Sequence, residues 1–198
     1  EAGSVSAKAA ACAEGTYGGA PGLVAQVGCT TCPEGHACPE GADAPEPCGP
    51  GSVASTSGLG ECAKCEPGKF MNVSGQTACF VCPAGSFCAE GAAAALPCPG
   101  GSVGGSGGLG SSEQCTACPA GTFCFAGSTE AKDCSRGTYA AEPRSQLCAA
   151  CPEGTFQGDE GATACEECEA GFTCPEGSVL QIPASCDAGT YLDTTLEL

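Results

Sequence analysis

The feature that most limits what this chain can fold into is the spacing of its cysteines. Adding 86 to Cys12, Cys29, Cys32, Cys38, Cys48, Cys62, Cys65, Cys79, Cys82 and Cys88 lands each time on another cysteine, from Cys98 and Cys115 through to Cys174. Only the next step slips, because Cys98 plus 86 falls two residues short of Cys186. A fixed period of this kind marks a repeat protein, in which each unit buries surface mainly against its neighbours. The period divides the chain into 1–11, a linker or the end of a preceding module, a first repeat 12–97, a second repeat 98–185, and the opening of a third at 186–198. With no initiator Met and no signal-peptide pattern at 1–11, the chain reads as a segment of something longer.

Composition explains why the cysteines matter. Leu, Ile, Val and Phe total 25 of 198 residues, about 13%, below the roughly 20% at which composition alone suggests disorder. So thin a core does not offset a backbone entropy of roughly 1–2 kcal/mol per residue. The 21 cysteines supply the remedy, since bridges narrow the unfolded ensemble. The net charge of −17 excludes phosphate-backbone recognition and docking on anionic lipid, so no nucleic-acid partner is expected. No apolar run is long enough to span a membrane.

Within each repeat a smaller unit begins Cys-x-x-Gly-x-(Tyr, Phe or Val), at Cys12, Cys48, Cys65, Cys98, Cys134, Cys151 and Cys186. The glycine supplies a positive φ after a short turn, and the residue two further on opens a short strand. Four connectors differ by carrying a second cysteine: 32–38, 82–88, 118–124 and 168–174. They read as tight bridged turns that set the angle between units. No segment has helical periodicity. The fold class is therefore small disulfide-rich repeats in an elongated, solenoid-like rod of short β-hairpins and turns, with almost no helix.

The spacing proposes unit bridges Cys12–Cys29, Cys48–Cys62, Cys65–Cys79, Cys98–Cys115, Cys134–Cys148 and Cys151–Cys165. Turn bridges would be Cys32–Cys38, Cys82–Cys88, Cys118–Cys124 and Cys168–Cys174, leaving Cys186 unpaired within the chain. A rival scheme joins 29 to 38 and 32 to 48 at each connector, but then closes Cys62–Cys65 and Cys148–Cys151 as bare Cys-x-x-Cys bridges and strands Cys12. Sequence alone leaves both open.

Six Cys-x-x-Cys pairs also have the spacing of four-cysteine zinc sites. Against zinc, the only histidine is His36 and the pairs sit in a run of evenly spaced single cysteines, so an oxidised, secreted chain is expected. His36 reads as a turn residue. The paired carboxylates Glu166–Glu167 and Asp159–Glu160 have no apolar pocket to tune them for acid–base work. No Asp-rich calcium loop is present. No catalytic, cofactor-binding or metal-ligating residues are expected, and the chain reads as a non-enzyme. Asn72 is the only asparagine and lies in Asn72-Val73-Ser74, an N-glycosylation sequon. The Ser/Thr/Gly clusters at 52–60 and 100–112 are candidate O-glycan acceptors. Phe80, Phe87, Phe123, Phe125 and Phe172 gather at the connectors, where they either pack between units or meet another copy of the chain.

The run of Cys-x-x-Gly-x-(Tyr/Phe/Val) starts leading into Cys-x-x-Cys, from Cys12 to Tyr191, resembles the ephrin-receptor-like cysteine-rich repeats. These are relatives of the repeats in tumour-necrosis-factor-receptor and growth-factor-receptor ectodomains. Long arrays of them are similar to extracellular proteins of algae and protists, including mastigoneme (flagellar hair) proteins. The resemblance implies an extracellular structural protein, self-associating into a fibre, flagellar hair or surface layer. The competing expectation is the cysteine-rich stalk of a cell-surface receptor or adhesin that binds a protein or glycan.

Overall fold

The computed structural model describes residues 11–18 and 28–184. Cys186, the expected third repeat from 186 and nearly all of the 1–11 segment lie outside them. Among the described residues there are twenty strands of two residues each, paired into ten antiparallel hairpins. Ser112–Gln114 forms a 3₁₀ turn. Isolated two-stranded hairpins are marginal in water, so these must be held by their neighbours or by covalent bonds.

Each hairpin grows from one local rule. In 49–52, Pro50 precedes Gly51, whose φ is +84°, and Ser52 N–H donates to the Gly49 carbonyl. Proline at the second position and a positive-φ glycine at the third are the pattern of a type II turn. The residue after the glycine is repeatedly Ser or Thr, and its hydroxyl donates back across the turn: Thr16 to the Ala13 carbonyl, Ser52 to Gly49, Thr138 to Ser135 and Thr155 to Pro152. Ser52–Val53 then pairs with Ala63–Lys64, with Val53 opposite Ala63.

The four connectors correct the sequence reading. They are full hairpins, not bare turns. Gly35, Gly85, Gly121 and Gly171 have positive φ like the other turn glycines. After them His36–Ala37 pairs with Glu46–Pro47, Ser86–Phe87 with Leu96–Pro97, Thr122–Phe123 with Lys132–Asp133, and Phe172–Thr173 with Ile182–Pro183. The second cysteine moves only the place where the bridge closes; the backbone turn is unchanged. Each 86-residue repeat thus holds five hairpins.

The chain forms two compact units. One comprises the described residues up to Leu96 together with Gly107–Ser111, the other Pro97–Ser106 together with those from Ser112 onward. Inside each, successive hairpins are joined by backbone hydrogen bonds. In the first unit the turn-glycine N–H donates to a carbonyl of the next hairpin: Gly15 to Cys38 (2.8 Å), Gly35 to Ala54 (2.9 Å), Gly51 to Met71 (2.7 Å) and Gly68 to Cys88 (2.8 Å). In the second unit the same bonds recur 86 residues on, from Gly101 to Cys124, Gly121 to Ala140, Gly137 to Gln157 and Gly154 to Cys174, all at 2.8 Å. A second series runs the other way. The N–H groups of Gly41, Gly58, Gly75 and Gly91 donate to the carbonyls of Cys12, Cys32, Cys48 and Cys65 at 2.8 Å.

The turn glycines also touch the hairpin after next. A Cβ added at Gly51 would lie closer than 3.0 Å to the Gly91 carbonyl, one at Gly68 to that of Gly108, and one at Gly121 to that of Gly161. These positions therefore require glycine twice over, for the φ and for the close approach.

Sulfur fills the interior. Ten bridges join Cys12–Cys29, Cys32–Cys38, Cys48–Cys62, Cys65–Cys79, Cys82–Cys88, Cys98–Cys115, Cys118–Cys124, Cys134–Cys148, Cys151–Cys165 and Cys168–Cys174, with Cα–Cα distances of 5.6 to 6.3 Å. Among the described residues, fourteen of the nineteen buried apolar residues are half-cystines, so disulfides stand where aliphatic side chains usually pack. Met71 is fully buried against Val53 and Cys65. Its counterpart Gln157 is also buried, and closes its own hydrogen bonds through Nε2 to the Ala164 carbonyl (2.9 Å) and Oε1 to the Asp159 N–H (2.8 Å).

Arg144 departs from the pattern. It stands where the first repeat has Gly58, and among the described residues it is the one non-glycine with a positive φ, 66°. Left-handed backbone costs a residue with a Cβ roughly 1–2 kcal/mol, while glycine returns part of that as unfolded-state entropy. Arg144→Gly is therefore expected to stabilise the chain by about 1 kcal/mol, read as a higher urea midpoint. A lower midpoint would show that the Arg144 side chain makes a contact worth more than the strain.

Candidate functional surface

One face of the hairpins is free to vary. The first strand of nearly every hairpin is at least half-buried, where its turn glycine and opening cysteine are held by the next hairpin; Phe172–Thr173 is exposed at both residues. The second strand is almost always exposed at both residues: Thr30–Thr31, Ala63–Lys64, Phe80–Val81, Ala149–Ala150 and Glu166–Glu167 are examples. Its backbone is fixed by pairing and its side chains point to solvent. Chemistry can change there without cost to the stack.

The aromatics show how far it does change. Phe80, Phe125 and Phe172 are exposed at 56%, 52% and 39%, whereas Phe87 and Phe123 are half-buried. Phe80 meets Phe70 across its own hairpin at 6.1 Å between ring centroids, and Phe125 meets Phe123 edge-on at 5.3 Å. Both ring contacts lie within a single hairpin, and three of these five rings remain exposed.

His36 lies on the strand His36–Ala37, with Nδ1 3.0 Å from the Glu34 carbonyl of its own turn. Glu166 and Glu167 are adjacent on an exposed strand, and Asp159 and Glu160 are exposed in a loop. Among the described residues no group of three or more His, Cys, Asp or Glu is placed to hold a metal ion. A groove of about 770 Å³ in the second unit is lined by residues including Pro152, Glu153, Gly154, Phe172, Pro175 and Glu176. A smaller one of about 330 Å³ in the first unit includes Val53, Lys64, Glu66, Lys69 and Cys79. Neither contains a histidine, and the cysteines that line them are all disulfide-bonded. No helix of the described residues is long and apolar enough to cross a membrane.

One ion pair lines the smaller groove. Lys69 Nζ donates to Glu66 Oε2 at 2.8 Å. That hydrogen bond first, and the ammonium charge second, hold the Glu66 carboxyl below its ordinary range. A depressed carboxyl contributes stability above its unfolded pKa and loses it as pH falls through the folded one. Here the contribution is small, since the Lys69 and Glu66 side chains are 45% and 75% exposed. Lys69→Met is expected to raise the Glu66 titration midpoint seen by NMR and to leave stability at neutral pH nearly unchanged. An unmoved midpoint would show that the pair does not persist in solution.

Asn72 is exposed in the loop after the strand Lys69–Phe70, and Val73 and Ser74 beside it are exposed too. Sequence reasoning missed the Ser or Thr that follows most of the turn glycines, although its recurrence was visible. It also missed the second-strand surface, because exposure of both residues follows from the stacking and not from any alternation in the sequence.

Comparison with known proteins agrees with this architecture. Residues 121–168 and 137–185 each match the family model described as tyrosine-protein kinase ephrin type A/B receptor-like. The matched stretch lies within the second repeat, whose cysteines the first repeat mirrors at the 86-residue offset. No curated protein matches the chain. Cysteine-rich repeats of this family are typically non-enzymatic, and with ten disulfides they suggest an extracellular cysteine-rich protein.

Proposed function

We propose that the chain is part of an extracellular structural protein, a disulfide-stapled repeat array that assembles into a fibre, flagellar hair or surface layer. One observation carries this reading. The inter-hairpin hydrogen bonds of the first unit recur in the second at the same 86-residue offset, so one rule builds both. A rule that repeats can be extended by further units, and identical units joined head to tail propagate instead of closing unless a rotation brings them into a ring. Catalysis has no part in it, since function resides in the backbone lattice and in the chemistry displayed on the exposed strands.

A receptor or adhesin stalk is the second reading, favoured by the receptor named in the matching family's description. The two part in electron micrographs of native material. Filaments with a regular axial repeat support the fibre. Dispersed single particles at all concentrations tested would overturn it in favour of the stalk.

A further inference from the structure

The two repeats differ sharply on one equivalent hairpin. In the first repeat, Lys69–Phe70 pairs with Phe80–Val81, and the loop between them leaves Val73, Phe80 and Val81 exposed at 51%, 56% and 63%. In the second repeat the positions 86 residues on are Asp159, Glu166 and Glu167, all exposed. Three apolar residues in one repeat thus correspond to three carboxylates in the other, on the same hairpin fold. Exposed apolar side chains grouped on one small hairpin are an association hazard unless something covers them. The first repeat has something the second lacks: Asn72-Val73-Ser74, where the counterpart of Asn72 is Gly158.

The local structure presents this sequon outward. Met71 just before it is fully buried, its N–H donating to the Ala92 carbonyl (3.1 Å) and its carbonyl accepting from Gly51 (2.7 Å). That anchors the backbone at the edge of the stack. Asn72, Val73 and Ser74 are all exposed, and none belongs to a strand.

We propose that Asn72 carries an N-linked glycan that covers the exposed apolar side chains of its hairpin, in the place where the second repeat uses carboxylates. The donor is a lipid diphosphate oligosaccharide. The bond from the anomeric carbon to the diphosphate breaks, Asn72 Nδ2 forms the new bond to that carbon and loses a proton, and the lipid diphosphate leaves. The proposal rests on export of the chain, the compartment reading given above. A bulky hydrated oligosaccharide screens neighbouring apolar surface as charges do, but without adding to a net charge already at −17.

The test is peptide mapping of native-source chain, or chain secreted from a eukaryotic host, before and after enzymatic release of N-glycans. The peptide containing residue 72 is expected to carry an oligosaccharide and to show Asp at 72 after release. Ser74→Ala is expected to abolish the modification. Unmodified Asn72 in a chain whose cysteines are bridged overturns the glycan while leaving export intact. Unmodified Asn72 with free thiols overturns both. The covering role has its own readout. Release of the glycan is expected to raise binding of an apolar fluorescent dye several-fold in the native sequence and to change nothing in a Phe80→Glu, Val81→Glu variant. Equal dye binding before and after release in the native sequence overturns the cover.

Discussion

Gly51→Ala is expected to destabilise the protein by about 3 kcal/mol, the sum of a left-handed backbone penalty of roughly 1–2 and an overpacking cost of roughly 1–3. Both terms have named causes. Gly51 has a φ of +84°, which L side chains rarely adopt, and its Cα faces the Gly91 carbonyl so closely that a methyl group has no room. The obstacle is backbone held by Gly91 N–H donating to the Cys65 carbonyl, so it does not yield as a flexible side chain would. Two controls separate the terms. Gly75 shares the positive φ, but a Cβ there would meet only the Pro47 Cβ at 3.8 Å, so Gly75→Ala is expected to cost about 1 kcal/mol. Gly49 has neither constraint, with nothing within 4 Å of an added Cβ, and Gly49→Ala is expected to be neutral within about 0.5 kcal/mol. Urea midpoints in that order support the packing of each turn on the hairpin after next. Equal effects at Gly51 and Gly75 would remove the close approach from the account.

Removing one bridge is the second large effect. Replacing Cys65 and Cys79 together by alanine is expected to cost about 3 kcal/mol in the chain-entropy model for a loop of roughly 15 residues. The separation of 14 in sequence sets that figure. Cys65 also packs on Met71 and Val53 in a buried cluster, so the lost sulfur adds a packing defect to the lost constraint. Chemical denaturation under non-reducing conditions measures it. A loss under about 1 kcal/mol would mean that the backbone bonds between hairpins, and not the bridges, hold the loops in place.

Much of this architecture was legible because its grammar is local. The Cys-x-x-Gly start, the positive φ of Gly15, Gly51 and Gly68, and the strand residue two positions on all follow from one short turn. The connectors were misread for a related reason. Sorting them by their second cysteine hid the Cys-x-x-Gly they share with every other unit, so Gly35 and Gly121 went unrecognised as hairpin turns. What the chain could not disclose is long-range and side-chain-free. The contact of Gly51 with the Gly91 carbonyl joins two glycines with no pattern to link them. Met71 and Gln157 fill equivalent buried places, one by apolar packing and one by closing its own hydrogen bonds, and a pattern of polarity reads them as opposites. The outward aromatics were ambiguous because exposure at Phe80 depends on which strand of the hairpin the stack covers.

The fold rests above all on hairpins stapled one by one, and mass-spectrometric mapping of bridges in unreduced native chain tests that most directly. The expected result is the nearest-neighbour set, with Cys32–Cys38 and Cys82–Cys88 closed inside single turns and Cys48–Cys62 and Cys65–Cys79 closing single loops. Bridges from Cys29 to Cys38 and from Cys32 to Cys48, or alkylation of most cysteines without reductant, would contradict it.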